Sequence, residues 1–483
     1  MTAIRSLEPL DLWSSFADLN AVPRPSKNER RVTQFMREFG QRLGLPTEVD
    51  GVGNVLIRKP ATAGRENRPT VVLQSHLDMV WQKNADSNFD FDTQGIDMFI
   101  EGDWVKARGT TLGADNGIGV ASIMAILASS ELEHPAIEAL FTIDEETGMT
   151  GAKSLPAGWL QGRILLNLDT EEDHVLTIGC AGGVNVSAKL PITWQSAAKD
   201  ALGIKLSVKG LKGGHSGMDI HLGRGNANKL MNRVLQQATE RFSLQLASVQ
   251  GGGLRNAIPR ESFSTAAIPA KQRDDFAAWL GNLATTIRSE YQLTDPEARI
   301  EVEFLAAAPE KVLTPADQQK LFAAVDACPN GIFRMSPSIP GLVQTSNNLA
   351  SVALKGDQID FLCLTRSSVD SERDELARVI GSLLRTLGAN VELDSDYPGW
   401  QPLPESGIVK LMSGLYRELY ASEAHVEACH AGLECGIIGS HFPGMEMISF
   451  GPNITGAHSP DEKVQISSVK KFWGYLTETL RRI

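Results

Sequence analysis

The sequence predicts an α/β protein whose mostly parallel sheet is interrupted by an inserted α+β domain. Three observations carry this. Short apolar runs at residues 70–74 (TVVLQ), 139–143 (ALFTI) and 164–168 (ILLNL) are rich in Val, Ile and Leu, as strands buried on both faces are. Apolar residues at helical spacing fill 117–132 (Ile118, Ala121, Ile123, Ala125, Ile126, Leu127), and strand-helix-strand alternation favours parallel pairing. From about Gly183 the style changes, and residues 204–210 (IKLSVKG) alternate with period two, the mark of a half-buried strand.

The elements of the insert follow in order. A strand at 204–210, a helix at 226–239, strands at 243–249 and 261–268, a helix at 272–291 and a strand at 299–305 form a ferredoxin-like βαββαβ unit. A second pass follows, with a helix at 315–327, strands at 348–354 and 359–365, a helix at 370–387 and a strand at 390–393. This reads as a duplication of secondary structure, although the two halves share no evident sequence identity. The Pro-rich stretch 396–404 (DYPGWQPLP) reads as a linker. Residues 407–483 hold helical runs and one short strand at 445–450, too little for a third domain, so they return to complete the first layer. The expected domains are therefore 1–186 with 396–483, and an insert at 187–395.

Composition narrows the function. The 46 Lys+Arg against 58 Asp+Glu leave a net charge of −12, which disfavours a nucleic-acid partner. Five cysteines are a sparse, odd set that suits reduced thiols. The first 20 residues carry Glu8, Asp11 and Asp18 without the apolar core of a signal peptide, and no 18-residue apolar run could span a bilayer. A cytoplasmic protein without a membrane partner is expected.

Acidic and histidine residues gather at the ends of the expected strands: His76 and Asp78 after the first, Glu145 and Glu146 after the second, Asp169 after the third. Asp115 opens the long helix, and His458 lies near the C-terminus. Carboxylates brought to one sheet edge repel one another unless a cation is bound. Carboxylate and imidazole ligands suit zinc, with manganese or cobalt as substitutes. In His76-x-Asp78, alternate residues of an extended chain point the same way, so Asp78 can hold the ring nitrogen that His76 does not use for metal. Adjacent Glu145 and Glu146 diverge, so one can bind metal while the other serves as a base. Other signals fail: Gly117-Ile118-Gly119 lacks the third glycine of a dinucleotide loop, and the Cys429–Cys435 run has no zinc-motif spacing. Neither GxSxG nor HExxH occurs.

The motifs HLD, GADNGIG, DEETG, NLD and GAHSPDE, in that order over the whole chain, resemble the M20 family of co-catalytic metallopeptidases, and most nearly its aminoacyl-histidine (cytosol nonspecific) dipeptidases. The resemblance implies a catalytic domain of zinc-peptidase type with an inserted lid. It implies two divalent metal ions: His76 and Asp169 on one, Glu146 and His458 on the other, and Asp115 bridging them. Glu145 would be the general base acting on a metal-bridging hydroxide, with Asp78 orienting His76. In the insert, residues 213–217 (GGHSG) offer His215 to polarise the scissile carbonyl, from the same chain or from a partner subunit. Asn256 would be a second polar donor and Arg366 the grip on the substrate's terminal carboxylate, since a guanidinium fork matches it bidentately. Glu434 would lie near the free amine. The implied reaction is hydrolysis of unblocked dipeptides, Xaa-His such as β-alanyl-histidine, with a tolerance reaching Cys-Gly, by a monomer or homodimer. Two rivals remain: an N-acyl amino acid deacylase on the same metals, and a catalytically silent binding protein.

Overall fold

A computed structural model describes residues 3–483, so the first two positions of the expected N-terminal segment lie outside it. The chain divides into two compact units: residues 3–180, 400–428 and 433–483 make the first, and 181–399 with 429–432 make the second.

In the first unit the Val- and Leu-rich runs form Val71–His76 and Ile137–Thr142, buried from end to end, and Ile164–Asn167. They belong to an eight-stranded sheet whose order is Thr47–Val49, Val55–Lys59, Ile137–Thr142, Val71–His76, Ile164–Asn167, Glu446–Ser449, Val175–Cys180 and His425–Cys429. The four central strands, Ile137–Thr142 to Glu446–Ser449, run parallel. Residues 445–450 thus supply one of them, from the far end of the sequence. The helix Ala114–Ala128 is apolar nearly all round and buried nearly all round, as that pattern requires. Parallel strands deliver their following residues to one edge, where α/β sheets build sites: His76 ends its strand there, Asp144 to Glu146 follow Thr142, and Asp169 follows Asn167.

The second unit is a nine-stranded antiparallel sheet. Its order is Arg299–Phe304, Ala201–Lys209, Ser262–Pro269, Gln245–Gly252, Val343–Lys355, Gln358–Ser367, Gly182–Pro191 and Asn390–Tyr397, with Gly331–Met335 paired beside Val343–Lys355. The helices Ala227–Phe242, Arg273–Glu290, Pro315–Ala327 and Asp370–Thr386 contribute their apolar faces to one continuous core with it. Each half of the sheet is ferredoxin-like. The first half takes its strands consecutively from 201 to 304. The second half starts with Gly182–Pro191 and resumes only at Pro315, so the first half is nested within it. The strand Gly182–Pro191 lies wholly in the second unit, and the 186/187 boundary expected from composition would cut it in two. Similarly, Asn390–Tyr397 extends into the Pro-rich stretch that reads as a linker. Among the described residues no helix is long and apolar enough to cross a membrane.

Candidate metal centre and a second polar site

At the strand edge of the first unit, His76, Asp78, Asp115, Glu145, Glu146, Asp169, Glu434 and His458 come together. Asp115 divides its two oxygens between two groups. Its Oδ1 lies 3.1 Å from His76 Nε2, which is 3.4 Å from Asp169 Oδ1. Its Oδ2 lies 3.3 Å from His458 Nε2, which is 3.1 Å from Glu146 Oε2. Each trio has the donor atoms to surround one cation, and Asp115 is common to both. Glu146 Oε1 is buried without a hydrogen-bond partner, an acceptor with nothing yet to bind. Burial alone would lower the His76 pKa, but Asp169, Asp115 and Asp78 raise it well above its ordinary value. His458 is pushed up to about 11 by Asp115 and Glu146. Imidazoles held this strongly as cations mark a site built for positive charge, and His with carboxylate oxygen is a donor set that divalent zinc, manganese or cobalt accepts.

Asp78 has a double duty. Its Oδ1 stands 3.4 Å from His76 Nδ1 and accepts the Glu145 backbone N–H at 3.0 Å. Its Oδ2 accepts from the Glu146 N–H at 3.3 Å and the Ser26 hydroxyl at 2.8 Å. One carboxylate therefore fixes both the histidine ring and the turn that carries the glutamate pair. The Glu145 carboxylate accepts no hydrogen bond among the described residues; burial, with Asp169, Glu434 and Glu146 nearby and His76 opposing, raises its pKa well above the ordinary value. Glu434 is buried at the start of the helix Glu434–His441, where its Oε2 accepts from Gln74 and Thr142 at 2.7 Å each. Its Oε1 is buried and unpartnered, and burial first, then Asp169 and Asp78, pushes its pKa up to about 7.

Two residues that hold this site were given no role by the sequence motifs. Arg24, 1% exposed, donates to the carbonyls of Leu77 (3.1 Å), Asp78 (3.2 Å) and Gly113 (2.6 Å), tying the His76 and Asp115 loops together. Gly113 must be glycine here: its φ is 68°, and a Cβ would lie 2.6 Å from Arg24 Nη2. Glu462 accepts four successive backbone N–H groups, from Leu112 (2.7 Å), Gly113 (2.9 Å), Ala114 (2.7 Å) and Asp115 (3.3 Å). The sequence does show Glu462 as the last letter of GAHSPDE, but a backbone-binding role leaves no side-chain pattern to read.

The second unit holds His215, Asn256 and Arg366. The His215 Nδ1 accepts from the N–H groups of Gly217 (3.2 Å) and Met218 (3.0 Å). An accepting Nδ1 leaves the proton on Nε2, so the neutral ring is a donor. Burial and the Arg366 charge lower its pKa, which keeps it neutral. Ser216 N–H donates to the Asn256 carbonyl at 2.7 Å, and Asn348 Nδ2 donates to the carbonyls on either side of Asn256, at Arg255 (3.0 Å) and Ala257 (2.8 Å). The exposed Asn256 is thus set on a braced loop next to the His215 loop, and Asn348 is a brace the sequence did not reveal. Arg366 is 4% exposed, has no carboxylate partner among the described residues, and its buried Nε is unpartnered.

A carboxylate shared between two His/carboxylate trios at the edge of a parallel sheet defines a hydrolase-type metal site. Residues 72–482 match Peptidase family M20/M25/M40, and the chain belongs to that family. It is 43% identical over 484 residues to the cytosol non-specific dipeptidase of Escherichia coli (strain K12), covering 100% of this chain and 99% of that one. The solved aminoacylhistidine dipeptidase of Vibrio alginolyticus matches with a TM-score of 0.95 at 44% identity, over 99% of this chain and 98% of that chain. Aminopeptidase PepT from Bacillus cereus ATCC 10987 shares the fold, with a TM-score of 0.58 at 14% identity over 98% of each chain.

Proposed function

We propose that the protein is a metal-dependent dipeptidase that hydrolyses unblocked dipeptides, including Xaa-His and β-alanyl-histidine, with a tolerance extending to Cys-Gly. The observation that carries the metal assignment is Asp115, whose two oxygens face two separate histidine-carboxylate pairs. His76, Asp115 and Asp169 would hold one divalent ion, and Asp115, Glu146 and His458 the other; zinc is the first choice and manganese or cobalt are substitutes. When bound, such ions supply Lewis acidity to the scissile carbonyl and acidify water.

The chain's own residues do the rest. Glu145 takes a proton from the attacking water at its carboxylate and returns it to the leaving nitrogen. Asp78 holds that glutamate's backbone and the His76 ring in one geometry. His215 donates from Nε2 to the carbonyl oxygen as negative charge develops there. Arg366 pairs with the C-terminal carboxylate, supported by Asn256, and the unpartnered Glu434 Oε1 receives the free ammonium group. The full-length likeness to two dipeptidases supports the substrate class. A cytoplasmic location agrees with the name of the Escherichia coli relative.

Chelator-stripped protein, reloaded with zinc or manganese, tests the reading on Leu-His, β-alanyl-histidine and N-acetyl-histidine. Cleavage of the two dipeptides only when metal is restored is expected. Faster cleavage of N-acetyl-histidine would move the assignment to a deacylase, and no cleavage of any of the three would leave a binding protein.

A further inference from the structure

Arg366 is buried and without a carboxylate partner among the described residues, and the sheet around it explains how that state is maintained. Four residues on adjacent strands stand in one line: Ser346 opposite Arg366, Arg366 opposite Gly183, and Gly183 opposite Tyr397. Residues directly opposite in antiparallel strands project from the same face. The Arg366 side chain passes across Gly183, and its Nη1 donates to the Tyr397 hydroxyl at 2.8 Å. Gly183 leaves that lane open, since a Cβ there would lie 2.6 Å from the Tyr397 hydroxyl oxygen. At the other end of the line the Ser346 hydroxyl meets His430 Nε2 at 2.7 Å. His430 is 5% exposed and kept neutral, its pKa lowered to about 3 by burial, Arg366 and His215.

The position of Tyr397 depends on a bulge. From Asn390 to Asp394 the last strand pairs in regular register with Lys189 down to Asn185, and continuing that register would set Asp396 opposite Gly183. Instead the register shifts between Asp394 and Tyr397, where Ser395 takes a φ of 53°. One extra residue turns a strand's side chains to the other face. The bulge therefore places a neutral phenol beside the guanidinium, where the regular strand would place an aspartate. An aspartate would have neutralised Arg366 with an internal ion pair; a phenol oxygen orients it and leaves its charge for a ligand.

We propose that Tyr397 is a positioning residue for substrate selection: it fixes the Arg366 guanidinium through Nη1 and thereby sets the preference for dipeptides with a free C-terminal carboxylate. This rests on the reading that Arg366 receives that carboxylate. The sequence motif for such a role is invisible, because Tyr397 lies in the Pro-rich stretch that reads as a linker.

The test compares Leu-His with Leu-His amide in the metal-loaded enzyme and in Tyr397→Phe, Arg366→Met and the double variant. Losing one hydrogen bond to a charged group should raise KM for Leu-His about tenfold in Tyr397→Phe, with kcat within about twofold. KM for the amide should not change, and the melting temperature should stay that of the parent, outcomes that a general loss of structure would not give. In the double variant, Tyr397→Phe should add nothing to the Arg366→Met effect, since the two act as a unit. If Arg366→Met raises KM for Leu-His about a hundredfold while Tyr397→Phe leaves it unchanged, the positioning role is overturned and the carboxylate reading stands. If Arg366→Met itself leaves KM unchanged, the carboxylate reading fails and takes the proposal with it. Gly183→Ala, which displaces the phenol from the opposite side, should reproduce the Tyr397→Phe phenotype; a parental KM in a folded Gly183→Ala protein would also contradict it.

Discussion

At the strand ends of the first unit, Asp115, Glu145, Glu146, Asp169 and Glu434 crowd around two histidines, and burial raises the pKa of Glu145, Glu146 and Glu434. Around Arg366 in the second unit the groups are that buried arginine, without a carboxylate partner among the described residues, and two histidines kept neutral, buried His430 and half-buried His215. The first region is short of positive charge and the second is short of negative charge. A free dipeptide carries an ammonium group at one end and a carboxylate at the other, and divalent ions supply the remaining positive charge. On the proposed reading the two regions would divide the work, the first taking metal and amine and the second carboxylate and developing oxyanion.

Several substitutions would break or sharpen this contrast. The largest effect is expected for Asp115→Ala. Because its oxygens face both trios, it should lose both metal ions by elemental analysis, whereas Asp169→Ala or His458→Ala should each weaken one site. Glu145→Gln should keep both ions and still lose activity by roughly two to four orders of magnitude in kcat, the contribution of a general base. Retained metal with lost turnover separates chemistry from binding within the first region.

Glu462→Ala leaves four backbone N–H groups of the Asp115 loop without their acceptor. The expected cost is about 2–4 kcal/mol, read as a lower melting temperature together with weaker metal retention. The smallest effect concerns pH. Burial first, then the neighbouring Arg366, His215 and His221, pushes the His430 pKa down to about 3 from an ordinary 6.5. A histidine with a lowered folded pKa contributes stability above 6.5 that is lost as pH falls from 6.5 toward 3. His430→Gln should flatten that part of the melting temperature against pH profile, while metal binding in the first region stays as in the parent.

Much of the first region was legible because parallel strands put their following residues at one edge, and short motifs such as HLD and DEETG mark those ends directly. What escaped was support supplied by backbone contacts. Arg24 sits in a plain loop and binds three carbonyls, and Glu462 binds four amides, neither of which needs a recognisable side-chain partner. In the second region most strands were found, but the first strand of the outer half was not. Gly182–Pro191 belongs to the half that resumes at Pro315, and pairing over that separation leaves no local pattern. Tyr397 was hidden for another reason: proline and glycine follow it, so turn composition masked the end of a strand.

The most direct test of the divided labour is a matrix of kcat/KM values for Leu-His, N-acetyl-Leu-His and Leu-His amide in the parent, Glu434→Gln and Arg366→Met. The parent should prefer the doubly free dipeptide. Glu434→Gln should remove the penalty for acetylation while keeping the penalty for amidation, and Arg366→Met should do the reverse. Equal cleavage of all three compounds by the parent, or the same loss across all three in both variants, would contradict the account.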